Sequence, residues 1–397
     1  MRRQQCPLGC AAVAFLQAGG GSMQRLITRS GIATVLMALV AFGTAQAVDV
    51  TVDLSRRFQT MEGMGAMNRI GPWKAKVGPF YQDVPLDNFY DSLVNVMGFT
   101  MLRPTEGCAF SPSPGVYDVN ALRGVYSHFL ALKAVAEANN EPFMACPAVF
   151  SPPAYMKGNG LCEGEEESTH PSNPDNTLLP EYYDDFGHFL VKYIETLRDS
   201  LGIDVYAISP QNEPFFNEPY ASCSYANGGH YSEMLEVAGP IIRAAGLNTI
   251  IYGTEHMTWD FPSWENAVMN NSGAAPYLNR FAVHGYTDGV QVDTSTFDTS
   301  QANDARPVWM SETGGQGMTY GDGMTLARTI MRSFNAGISA WMYCGLIGPQ
   351  SSCGWLVAHG VDGYVDGVPG PCYWAHAHFA RFARPGWKRV SATTHDN

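Results

Sequence analysis

Val205-Tyr206-Ala207-Ile208-Ser209-Pro210-Gln211-Asn212-Glu213-Pro214 is the stretch on which the fold turns. A short apolar run closes in a Ser-Pro turn, and a carboxylate comes next. Continuous apolar runs of this length read as strands buried on both faces, the habit of parallel sheets. Seven further runs share the pattern: Gln59–Gly65, Gly98–Arg103, Pro142–Val149, Thr249–Gly253, Arg280–His284, Pro307–Met310 and Ala340–Tyr343. Between them lie helix candidates at Val119–Asn139, Pro180–Leu201, Tyr231–Ala245, Asp322–Asn335 and Tyr373–Ala383. The second opens with a proline and acids and carries Phe186, Phe189, Leu190 and Tyr193 at helical intervals. Eight strands alternating with helices predict an α/β fold, a (β/α)₈ TIM barrel. A doubly wound open sheet would want a phosphate-binding glycine loop after its first strand. Met61-Glu62-Gly63-Met64-Gly65-Ala66 lacks that spacing, so the barrel is preferred.

Barrel enzymes carry their chemistry where strands end at the C-terminal face. The fourth predicted strand ends in Asn212-Glu213-Pro214. The seventh ends in Ser311-Glu312-Thr313-Gly314-Gly315. Side chains closing strands 4 and 7 can converge over the barrel mouth. Two facing carboxyl groups are what glycosidic cleavage needs, about 5–5.5 Å apart in retaining enzymes and about 6.5–9.5 Å in inverting ones. A single Glu at a strand end could equally be a salt-bridged or capping residue. Two of them in matching turns point to catalysis.

Composition narrows the class. Hydrophobic residues make up 45% of 397 and charged residues 15%, a globular balance with an ample core. From Met23 the chain has basic residues, then an apolar run over 31–42, then Ala45-Gln46-Ala47, the layout of a secretory signal. Residues 1–47 are therefore expected to be an extension plus signal peptide, and the protein to be secreted. No later stretch reads as a membrane span. The barrel with its N-terminal strand is expected over 48–390, and a tail over 391–397. Removing the four arginines of 1–47 leaves 20 Lys and Arg against 37 Asp and Glu. That acidity argues against nucleic acid, whose binding needs basic patches. It suits a neutral polysaccharide or oligosaccharide partner. A basic cluster that would read an acidic sugar is not evident. Seven cysteines lie beyond residue 47. Cys353–Cys372 is the preferred bridge and Cys162–Cys223 a second, with Cys146 or Cys344 as a buried free thiol. Nothing reads as a metal or cofactor site.

The paired Glu motifs resemble the clan of retaining barrel glycosidases, and the finer match is to glycoside hydrolase family 30. Phe58-Gln59-Thr60-Met61-Glu62-Gly63-Met64-Gly65-Ala66 resembles that family's opening strand. Ser151-Pro152-Pro153-Ala154-Tyr155-Met156-Lys157 resembles its third-strand loop. Tyr220-Ala221-Ser222-Cys223 and Phe379-Ala380-Arg381-Phe382-Ala383-Arg384-Pro385-Gly386 also match, so the resemblance runs from about Val50 to Lys388. The resemblance implies that Glu312 is the nucleophile and Glu213 the acid/base. It implies that Asn212 bonds the sugar 2-hydroxyl, Tyr286 holds Glu312, and Arg103 keeps Glu312 ionised. Trp341 would floor the sugar site, and Tyr155 and Phe150 would form an aromatic wall where the family has tryptophan. The plainer readings are a structural ion pair for Arg103 and core aromatics for Tyr286 and Trp341. His284 is read as a core histidine and Glu255 as cleft-lining at most.

The family also carries a β-sandwich beside its barrel. Val48–Leu54 reads as a strand of it whose partners are missing, which predicts an exposed apolar flank. Three functions stay open: a polysaccharide-cleaving enzyme on xylan or β-glucan, an exo-acting β-glucosidase or glucosylceramidase-like enzyme, and a non-catalytic carbohydrate-binding barrel.

Overall fold

The barrel strands are set by alternation. In Val308-Trp309-Met310, Trp309 points into the barrel while Val308 and Met310 pack outward against helices; Ala340 and Met342 point in, Trp341 and Tyr343 out. This is a computed structural model describing residues 49–68, 90–164, 175–257, 262–286, 306–314, 319–349, 357–359 and 370–395.

The strands are β1 (Gly63–Met67), β2 (Met101–Arg103), β3 (Met144–Ala145), β4 (Ala207–Ile208), β5 (Ile250–His256), β6 (Leu278–His284), β7 (Val308–Thr313) and β8 (Ile338–Tyr343). They hydrogen-bond in the order β3-β2-β1-β8-β7-β6-β5-β4, every pair parallel. Parallel bridges Ala145↔Val205 and Ala148↔Ser209 join the two ends, so the eight strands form a nearly closed (β/α)₈ barrel. All eight predicted runs overlap these strands. β1 and β2 approach closely at Gly65, where a Cβ would stand 1.9 Å from the Met101 carbonyl oxygen.

The barrel interior is filled by Met101, Cys146, Ala207, Tyr252, Ala282, Trp309, Ala340 and Met342. The three alanines make room for the Trp309 and Tyr252 rings, whose centroids are 5.1 Å apart. At the N-terminal end Glu62 accepts from Trp309 Nε1 (3.0 Å), Ser339 Oγ (3.0 Å), Tyr206 Oη (3.1 Å) and Arg280 Nε (2.9 Å), and it ties three strands and the residue before β4 together at the end opposite Glu213 and Glu312.

The helices are α1 (Val119–Ala138), α2 (Tyr183–Leu201), α3 (Gly228–Ala244), α4 (Pro262–Asn270), α5 (Tyr320–Ala336) and α6 (Pro371–Ala380). Five coincide with the predicted helices. Their starts are capped where the sequence offers short polar side chains: Asp118 for α1, Asn227 for α3, and a Thr319/Asp322 capping box for α5. Gly202 and Gly337 end α2 and α5 in left-handed conformation.

The described residues divide into two compact units, 54–391 and a smaller one made of 49–53 with 392–395. Strand Asp49–Thr60 pairs with strand Lys388–His395 in a two-stranded sheet. The N-terminal strand therefore has a partner, and residues 391–395 are strand, not tail. The alternation in Arg389-Val390-Ser391-Ala392-Thr393 supplies it. Val50 and Leu54 on the N-terminal strand are 59% and 69% exposed. The expected signal segment lies outside the described residues, as does Cys353 and with it the Cys353–Cys372 pairing. Among the described residues no helix is long and apolar enough to cross a membrane. Cys162 bonds to Cys108, not Cys223, across a 54-residue separation with Cα atoms 5.7 Å apart. Cys223 is instead a buried thiol, as is Cys146.

Candidate active site

Each site residue sits where a barrel strand runs out at its C-terminal end. Arg103 is the last residue of β2, His284 the last of β6, and Glu312 the penultimate residue of β7. Asn212 and Glu213 come after β4 in the turn opened by Ser209-Pro210. Glu255 precedes the last residue of β5. Register shifts at Thr254/His256 and Met310/Glu312 interrupt the alternation there and re-aim Glu255 and Glu312 toward the axis. Glu213 and Glu255 have φ of +40° and +61°, the left-handed region that non-glycine residues seldom occupy. Such backbone persists only where surrounding contacts hold it, and it gathers at functional sites.

Those contacts form one network. Arg103, fully buried, donates from Nε to Glu255 Oε1 (3.0 Å) and from Nη2 to Glu255 Oε2 (3.1 Å). Its Nη1 donates to Glu312 Oε2 (2.9 Å), and Nη2 also donates to Asn212 Oδ1. The Tyr286 hydroxyl donates to Glu312 Oε1 at 3.2 Å. His284 Nδ1 stands 2.8 Å from Glu213 Oε1, and its Nε2 is 3.5 Å from Glu255 Oε1, an ion-pair contact too long for a strong hydrogen bond. Arg103 fixes the Asn212 amide by its oxygen and leaves the Nδ2 hydrogens for a ligand. An apolar collar of Met67, Met257, Tyr286 and Cys344, with Phe150, Phe215 and Phe216 against it, lowers the local dielectric. The Phe150 ring lies 5.6 Å from the Arg103 guanidinium carbon.

The two candidate carboxylates are close but differently placed. Glu213, His284 and Glu312 each offer a ligand-type atom, and all three atoms lie within 4.8 Å of one another. Burial raises the Glu213 carboxyl above its ordinary range, with His284 opposing. Glu312 keeps Arg103 at 2.9 Å. A proton thus favours Glu213 and a charge favours Glu312, the asymmetry an acid–nucleophile pair requires. The three atoms could in principle approach a metal ion. However, burial lowers the His284 pKa while Glu312, Glu213 and Glu255 raise it, to about 9. As an imidazolium, His284 sets a positive charge between Glu213 and Glu255.

Linkage gives a stability test. His284 is raised from 6.5 to about 9, so its contribution is full below pH 6.5 and is lost as pH climbs to 9. Burial raises the Glu255 carboxyl, but Arg103 and His284 outweigh it and hold it at about 2 against 4.5. Its contribution is full above pH 4.5 and is lost as pH falls toward 2. Melting temperature is therefore expected to fall toward acid below pH 4.5 and toward alkali above it, the raised Glu213 carboxyl adding to the alkaline fall. His284→Gln should flatten the alkaline fall, whose His284 share in the wild type is on the order of 3 kcal/mol between pH 6.5 and 9. Thermal unfolding followed by circular dichroism across pH 3–10 measures it. An alkaline slope identical in the variant would rule out a charged His284.

Two expected site residues are not brought to this cluster. Trp341 is fully buried, with its ring centroid 5.6 Å from His376 of α6 and 6.2 Å from Tyr343. Strand alternation turns it into the helix layer, because Ala340 and Met342 take the inward positions. Tyr155 packs in the same outer layer, hydrogen-bonded to Ser111 Oγ (3.2 Å) and edge-on to Tyr182. Glu255 and His284, in contrast, are central. His284 stands two residues before Tyr286, a spacing that aims both the same way. Glu255 lies beyond Gly253, where the apolar run ends, though β5 continues to His256.

Residues 129–382 match the Glycosyl hydrolase family 30 TIM-barrel domain. The chain belongs to glycosyl hydrolase family 30. It is 29% identical to an endo-1,6-β-D-glucanase of Neurospora crassa over 142 residues, 36% of this chain and 27% of that protein. It is 23% identical over 383 residues to putative glucosylceramidase 2 of Caenorhabditis elegans, covering 86% of this chain and 70% of the relative. Among solved structures, an endo-β-1,6-glucanase superposes with TM-score 0.68 at 22% identity, covering 88% of this chain and 82% of that one. The family 30 subfamily 8 xylanase of Clostridium acetobutylicum superposes with TM-score 0.66 at 21% identity, covering 87% and 78%. At these identities the structures attest the fold.

Proposed function

We propose that this family 30 glycosidase is a secreted retaining enzyme that cleaves β-glycosidic bonds of a polysaccharide by double displacement. The observation that carries the reading is the unequal carboxylate pair, one oxygen of each within 4.8 Å of the other at the barrel mouth. That spacing is shorter than the about 6.5–9.5 Å an inverting enzyme needs to seat a water.

In the first step Glu312 attacks the anomeric carbon while Glu213 gives its proton to the departing glycosidic oxygen. The C–O bond breaks, an ester forms on Glu312, and the shortened sugar leaves with the proton. Esterification removes the negative charge beside Arg103 and His284, which favours ionisation of Glu213. In the second step Glu213 takes a proton from water. The water oxygen attacks the same carbon and Glu312 is released. Arg103 and Tyr286 hold Glu312 on axis, and Asn212 offers its amide hydrogens to the sugar. Phe150, Phe215 and Phe216 supply apolar faces for sugar rings.

The substrate class is taken from the relatives' names, β-1,6-glucan and xylan. Exo-action on a glucosylceramide-like β-glucoside is the second reading, favoured by the Caenorhabditis relative that spans 86% of this chain. Secretion rests on the signal-like pattern before Val48. The test is sugar release by the full chain from β-1,6-glucan, β-1,3-glucan, glucuronoxylan, arabinoxylan and aryl β-glucosides, with product anomers followed by NMR. Release with retained configuration from one polymer supports the reading. Release from aryl glucosides alone favours the exo reading. Inverted product overturns the mechanism, and binding without release by a folded protein overturns the activity.

A further inference from the structure

The network contains a third buried carboxylate that the two-step mechanism never uses. Glu255 is fully buried, has left-handed backbone, and holds both partners of the reacting pair. One side of its carboxylate takes two hydrogen bonds from Arg103, the cation on Glu312. Its Oε1 faces Nε2 of His284, the imidazole on Glu213. We propose that Glu255 is a positioning residue that couples the two catalytic carboxylates, setting through Arg103 and His284 where one is charged and the other protonated. The proposal rests on the glycosidase reading and extends it.

The charge count argues for it. Without Glu255, the active protonation state would pair Arg103 and His284, both cationic, with the Glu312 carboxylate alone. With Glu255 the cluster is neutral: two cations, two anions and a protonated Glu213. A buried cluster gains most when its charges balance. Arg103 also needs Glu255 geometrically. Two parallel hydrogen bonds lock the guanidinium plane, and this aims Nη1 at Glu312 and Nη2 at Asn212. The other titratable groups around Glu255 are hydroxyls on neutral rings, Tyr252 on β5 and Tyr231 on α3. Glu265 of α4 is occupied with the Thr254 hydroxyl. Arg103 and His284 are thus the cations that answer it.

Removing a buried anion makes neighbouring acids give up protons more readily. Glu255→Gln keeps the shape and removes the charge. In the pH profile of kcat/KM on an aryl β-glycoside, both limbs should move toward acid by about one pH unit, and kcat should fall about 10- to 100-fold. Glu255→Asp keeps the charge on a shorter arm, so its limbs should return to the wild-type positions while kcat stays low. A charge-independent structural role would lower kcat or melting temperature and leave both limbs in place. That outcome, or an Asp variant that behaves like Gln, overturns the proposal. A second readout needs no turnover. The ¹⁵N titration of His284, assigned with His284→Gln, should have a midpoint near 9 in the wild type. It should drop in the Gln variant and hold in the Asp variant. A wild-type midpoint near 6.5 overturns the coupling even if Glu255→Gln does not fold. A wild type that cleaves no glycoside but shows this titration pattern refutes the glycosidase reading and leaves the coupling standing.

Discussion

Glu312→Gln is expected to lower kcat by about 10⁴- to 10⁶-fold, with oligosaccharide affinity changed by no more than about threefold. The amide is isosteric with the carboxylate and cannot form the glycosyl ester. Arg103 still has Glu255 as its anion, so the variant does not strand a buried cation. Tyr286 keeps an acceptor in the amide oxygen. The fold should survive, and calorimetric binding beside single-turnover kinetics separates chemistry from affinity. Residual turnover above about one part in a thousand would remove Glu312 from the nucleophile role.

Glu213→Gln should have an effect that depends on the leaving group. A sugar departing as alkoxide needs a proton, so turnover of a polysaccharide should fall about 10²- to 10⁴-fold. A dinitrophenolate needs none. With that leaving group the glycosyl-enzyme should form at near wild-type rate and accumulate, because no base activates the water. The measurement is a burst of dinitrophenolate followed by a slow steady state, with KM falling along with kcat. Azide should restore turnover and give the β-glycosyl azide, since it needs no proton removed and meets no carboxylate at position 213. Equal losses with both leaving groups, or no azide product, would take the acid/base role from Glu213. The side chain bonded to His284 would then be a structural partner.

Much of the fold and half of the site are legible in the residues alone. Eight apolar runs, five helix faces and two Glu-bearing turns are local patterns, and local pattern decides where a parallel strand begins and which turn closes it. Arg103, Asn212, Glu213, Tyr286 and Glu312 stand near strand ends that the sequence marks, and they converge because a barrel gathers all its strand ends at one rim. Facts of register lay outside that reading. Trp341 has the composition of a sugar platform, but only the in–out phase of β8 decides that it faces α6. Glu255 reads as cleft-lining at most because β5 runs past its apolar stretch, and a register shift then turns its carboxylate inward. His284 read as core because a histidine within a strand is ambiguous until its two neighbours across the barrel, Glu213 and Glu255, are known. Cysteine pairing has the same character. Cys108 and Cys162 meet because the loops after β2 and β3 lie side by side. Nearest-neighbour chemistry along the chain was thus enough for the strands, the helices between them and the two candidate carboxylates. The sharing of charge among Arg103, His284 and Glu255 came from folding alone, because it depends on distances between side chains such as Arg103 and Glu255, which stand 152 positions apart in the chain.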